Sequence, residues 1–169
     1  IAVGENTVEA GRYPTADFNA LFLPWHVSAH FMFERVTLRH LLDWALFLVK
    51  DGKNIDVEKF RAAKQKYTYG YSKFADVLTV LSLKYLKMPV GDIPHTIIED
   101  ATNFNEGLAD RVFEYIFIGQ PRERDKNVWQ FRRNNLKRIW QERWKYKEIY
   151  GMGVLTFLYY KTKGVLFRV

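Results

Sequence analysis

The sequence predicts an all-α fold: an irregular bundle of about six helices, with a short strand expected at Ile1-Ala2-Val3. Three observations lead there. Apolar residues recur at three- and four-residue steps over most of the chain, the spacing of one face of an α-helix. Capping residues and glycines punctuate those stretches where helices start and stop. The 169 residues, 48% apolar, 17% aromatic and 27% charged, suit one globular domain able to withdraw on the order of 70% of its unfolded surface from water. Disorder, collagen and coiled coil do not fit such a composition.

Residues 1–16 read as a strand and a loop carrying Gly4, Gly11 and Pro14. From Asp17 a helical stripe begins: Phe18, Leu21, Phe22, Trp25, Ala29, Met32 and Phe33. Pro24 inside it predicts a kink, or a true start near Leu23. A second helix starts after Val36-Thr37, with Thr37 as cap and Val36 stapled to Leu41. Apolar on most faces, it is expected to be the central helix, and Gly52 is expected to end it in the left-handed conformation. A third helix runs from the cap Asp56 to about Tyr69, and a fourth from Ser72 to about Leu86. The stretch 89–104, with Pro89, Gly91 and Pro94, reads as irregular. Leu108, Val112, Tyr115 and Ile116 mark a fifth helix stopped by Gly119 and Pro121, and a long sixth spans about 125–150 before a short one at 154–160. The domain organisation expected is a linker or trailing strand at 1–16 and a helical domain at 17–169.

Charge is uneven. Residues 1–120 hold 13 Lys/Arg against 15 Asp/Glu, whereas 121–169 hold 13 against 4, a net +9. A basic final third implies either an anionic partner or a helix solvated on its basic side. Zero cysteines exclude a thiol nucleophile, an iron–sulfur cluster and a thiolate zinc site, and favour a reducing compartment. No run approaches the roughly 20 apolar residues of a spanning helix, so the expected location is cytoplasmic, without membrane association. The first residue, Ile1, suggests a fragment or processed chain.

His26-x-x-x-His30 places two imidazoles on one helix face at the spacing of two-histidine metal sites, with Asp43 as a third ligand. The competing reading is a polar helix contact made by His26 and His30, with Asp43 paired to Arg39. It is preferred, because no glutamate follows the first histidine, and no metal is expected. Arg35 and His40 resemble the pair of the HEPN ribonucleases, in which guanidinium holds an RNA phosphate and imidazole moves a proton; this gives a helical ribonuclease as one alternative. In the basic helix, Trp129, Leu136, Trp140 and Trp144 step at helical spacing. Two readings compete: a buried stripe with Arg132, Arg133, Lys137 and Arg138 on the solvated face, or a nucleic-acid platform with those four cations on phosphates. The docked helix is preferred, with Trp140 and Trp144 buried. A glycine-rich phosphate loop and a Gly-x-Ser-x-Gly elbow are both lacking, so no catalytic residue is assigned.

At Pro24-Trp25-His26-x-x-x-His30-Phe31, followed by Leu38-Arg39-His40-Leu41-Leu42-Asp43-Trp44-Ala45, the chain resembles the helical C-terminal half of a bacterial family of uncharacterised nucleotidyltransferases. The resemblance extends over most of residues 17–160 and touches His26, His30, Arg39 and Asp43. Members of that superfamily carry a Gly-Ser turn and, about ten residues on, an Asp-x-Asp pair for magnesium and the nucleoside triphosphate. Gly70-Tyr71-Ser72 has no such pair after it. The resemblance therefore implies a non-catalytic helical accessory domain whose partner is its own upstream catalytic domain. Magnesium and a nucleoside triphosphate are expected only there. The alternative is a basic helical module that binds nucleic acid.

Overall fold

A computed structural model describes residues 14–33, 36–66, 71–118 and 127–163. The described residues are all helical apart from their connections, with no strand among them. The helices are α1 (Ala16–Phe33), α2 (Leu38–Asp51), α3 (Val57–Lys66), α4 (Tyr71–Tyr85), α5 (His95–Thr102), α6 (Glu106–Phe117), α7 (Val128–Gln141) and α8 (Val154–Lys163). A 3-10 turn, Gly52–Asn54, follows α2, and a π-turn, Lys145–Ile149, follows α7. The strand expected at residues 1–3 lies outside the described residues. None of the helices described is long and apolar enough to cross a membrane.

Local chemistry sets the boundaries. Thr15 opens α1 by accepting the Phe18 N–H on Oγ1 at 3.2 Å, so the helix begins well before Leu23 and runs through the buried Pro24. Thr37 precedes α2 in extended conformation, with Val36 and Leu41 both buried as a staple requires. Asp56 accepts the Lys59 N–H at 3.1 Å and caps α3. Its own N–H donates to Asp17 Oδ1 at 2.8 Å, tying the starts of α1 and α3 together. Asn105 caps α6 through the Leu108 N–H at 3.0 Å, and Asn127 caps α7 through the Gln130 N–H at 2.8 Å.

The central helix is α4, not α2. It packs on α1, α2, α3, α5 and α6, and Phe74, Ala75, Val77, Leu78, Leu81 and Ser82 are all buried. Its polar groups are satisfied internally: Thr79 donates to the Ala75 carbonyl and accepts the Trp44 indole N–H at 3.0 Å. By contrast α2 buries one side through Leu41, Trp44, Ala45, Phe47 and Leu48, and leaves Leu38, Leu42, Leu46 and Val49 in solvent. Apolar residues around a helix predict contact on every side, and here the supply of neighbours is what limits burial.

Three further expectations are corrected. Gly52 has φ −54°, a right-handed value, and continues into the 3-10 turn; its hydrogen atom side faces Ile93, whose Cγ1 would lie 3.5 Å from a Cβ. The stretch 89–104 contains α5, whose Ile97 and Ala101 are buried one turn apart, with Pro94 at its cap. The long C-terminal helix is divided: α7 ends at Gln141, and the π-turn leads to Gly151, whose φ of +64° reverses the chain at a position that disfavours a Cβ.

Candidate functional site

Among the described residues, two groups of side chains combine exposure with ligand-binding chemistry. The first is built on α7, which has no acidic residue and buries only Ile139 among its apolar side chains. Asn134, Asn135 and Arg138 are half-buried beside Ile139, and Arg138 is engaged with Asn135 at 2.7 Å and lies 4.0 Å from Glu142. The opposite face carries Trp129, Arg132, Arg133, Leu136, Trp140 and, past the helix end, Arg143. Trp129 is 78% exposed, Leu136 61% and Trp140 64%. The docked-helix expectation is therefore wrong for three of its four anchors. Only Trp144 turns inward, against Phe31 and Tyr115 and beneath the Arg111 guanidinium at 4.3 Å from its ring centre.

The inversion has a local cause. The segment after α7 is the one that docks: Lys145, Tyr146, Ile149 and Tyr150 are buried, Tyr146 stacks on Phe157, and Tyr150 donates its hydroxyl to the Ser28 carbonyl at 2.6 Å. Lys145 is bonded to Glu142 and the Tyr115 hydroxyl, both at 3.1 Å, and faces the rings of Phe31 and Tyr115. Burial and the Glu142 carboxylate together push the Tyr115 hydroxyl well above its ordinary range. With that anchor in place, α7 projects from it and turns its aromatic face outward. Arg132 lies 5.7 Å from the Trp129 ring centre and Arg143 5.2 Å from that of Trp140, so cations and rings alternate along one surface. Of the four predicted phosphate contacts, Arg132, Arg133 and Lys137 are exposed, while Arg138 is held by its neighbours. Arg143 joins them; its spacing of three from Trp140 was the available signal.

The second group is at the α1–α2 hairpin. His26 and His30 lie one turn apart with their Nε2 atoms at 3.2 Å, and the third side chain beside them is His40, not Asp43. The His40 ring centre is 4.9 Å from that of His30 and 6.0 Å from that of His26. Asp43 pairs instead with Arg39 at 3.8 Å, both exposed. Thr37 holds His40: its backbone N–H donates to Nδ1 at 3.0 Å, and its Oγ1 is 3.1 Å from the same nitrogen. Burial, followed by the neighbouring His30 and His26, lowers the His40 pKa from its ordinary 6.5. Phe18 and Phe22 continue the row, with Phe18 on Phe22 at 5.5 Å and Phe22 on His26 at 5.4 Å. Sequence spacing revealed His26 and His30, but His40 joins them only through the hairpin. Arg35, the partner of His40 in the ribonuclease alternative, lies outside the described residues.

Comparison with known proteins adds no relative: no family model, curated protein or solved structure matches the chain.

Proposed function

We propose that the chain binds single-stranded nucleic acid along the outward face of α7. The observation that carries this reading is the exposure of Trp129, Leu136 and Trp140 between the cations Arg132, Arg133, Lys137 and Arg143. Stacking bases on exposed rings while guanidinium and ammonium groups meet the phosphates is the chemistry of single-strand binding, and it tolerates any base sequence. A purely apolar stripe would suit a protein surface; alternating cations suit a polyanion. Titration of a labelled single-stranded oligonucleotide should quench tryptophan fluorescence. Four phosphate contacts predict a log–log salt slope of about −3 for a single strand. Binding that shows neither quenching nor salt dependence overturns the proposal.

A second reading is favoured by the uncovered Leu38, Leu42, Leu46 and Val49 on α2. It is the helical accessory domain of a nucleotidyltransferase, docked by that stripe on a separate catalytic domain that holds magnesium and the triphosphate. On this reading the chain alone transfers no nucleotide. Incorporation of labelled nucleotide that survives repurification of this chain overturns it.

A further inference from the structure

We propose that His26, His30 and His40 form a binding site for one divalent transition-metal ion, zinc first, with solvent as the fourth ligand. Two nitrogens bound to a tetrahedral zinc at about 2.0–2.1 Å stand roughly 3.3 Å apart. The Nε2 atoms of His26 and His30 are 3.2 Å apart, so the pair already spans one edge of that tetrahedron. One ring nitrogen from each of the three histidines lies within 4.8 Å of the others, and a shift of the His40 ring toward the pair would close the two remaining edges. His40 is placed to make it, because it sits in the first turn of α2 and is only half-buried.

Thr37 supplies the outer contact that such a ligand uses. In the structure Nδ1 accepts the Thr37 backbone N–H at 3.0 Å; with Nε2 on an ion the proton of the neutral imidazole moves to Nδ1, that backbone bond is given up, and Thr37 Oγ1 at 3.1 Å accepts the proton in its place. A donor set of three imidazoles favours zinc, copper, nickel or cobalt over magnesium or calcium, which require oxygen ligands. Because two ligands come from α1 and one from α2, the ion would also clamp the hairpin. The site is independent of the α7 surface, and its failure would leave the nucleic-acid reading untouched.

The test uses the whole chain after chelator treatment and dialysis. Cobalt(II) is titrated while the visible bands of tetrahedral cobalt are recorded, and zinc then displaces it. One equivalent should saturate the signal. His40→Gln should weaken binding at least about tenfold, as should His30→Gln. Asp43→Asn should leave affinity unchanged, because Asp43 is committed to Arg39. Circular dichroism establishes that each variant is folded, and His40→Asn serves in place of any variant that is not. Absence of a saturable signal overturns the proposal. So does wild-type affinity in a folded His40 variant, which would reduce the site to the His26/His30 pair.

Discussion

Replacing Trp140 with alanine separates the outward α7 face from a docked helix more sharply than any other change. A fully buried tryptophan such as Trp44 should cost about 3–5 kcal/mol when truncated to alanine. Trp140 is 64% exposed, so about a third of that contact is at stake, and Trp140→Ala should cost roughly 1–1.7 kcal/mol. Part of this is the exposed cation–π contact with Arg143, about 0.5–1 kcal/mol in such a setting. Urea unfolding followed by far-ultraviolet circular dichroism measures the loss, with Trp44→Ala as the buried reference. Oligonucleotide affinity should fall in parallel by ~1–3 kcal/mol, the worth of one stacked base. A stability loss for Trp140→Ala equal to that of Trp44→Ala would refute the exposed face. Unchanged affinity with unchanged stability would refute stacking at this ring.

Other perturbations bear on the scaffold. Gly52→Ala should leave stability unchanged or raise it by about 0.4–1 kcal/mol by chemical denaturation, since φ is right-handed and the new methyl meets Ile93 at ordinary contact distance. In metal-free protein the depressed His40 pKa makes folding more favourable when the ring is neutral. That contribution is complete above the unfolded value of 6.5 and is lost as pH falls through the folded pKa; His40→Gln should flatten melting temperature against pH below 6.5. Tyr150→Phe removes a buried hydroxyl that donates to the Ser28 carbonyl and leaves the Ser28 hydroxyl without it, so thermal unfolding should show a loss of about 1–3 kcal/mol.

The helices that sequence located best are those with a side-chain cap at one end and periodicity behind it. Thr37 before α2 and Asp56 before α3 both work as caps or flank the helix start as expected, because a cap is a local interaction fixed by spacing. The helix α5 was not legible: it is only eight residues long, and two buried positions make no recognisable period. The orientation of α7 was illegible for a different reason. An amphipathic pattern states that two faces differ, but which face meets the core depends on where the chain is anchored, here at Lys145, Tyr146 and Tyr150. The histidine cluster shows the same limit, since spacing on one helix yields two of its members and only a hairpin supplies the third.

The bond from Tyr150 to Ser28 joins positions 122 residues apart, and closing so long a stretch of chain has an entropic cost. Most other packing joins α4 to α1, α2, α5 and α6 across shorter stretches of chain than the one Tyr150 closes, and less chain entropy is lost in closing them. Closing a loop of 122 residues costs about 1 kcal/mol more than closing one of about 40, by the logarithmic dependence on length. The Tyr150 anchor should therefore be made last and broken first, after the preceding helices have created the surface that receives it. Hydrogen exchange should find the amides of 145–152 opening ahead of those of α4. The surface carried by α7 would then hang from a joint that opens ahead of α4, so that a ligand gripping α7 and the bundle together would hold that joint shut.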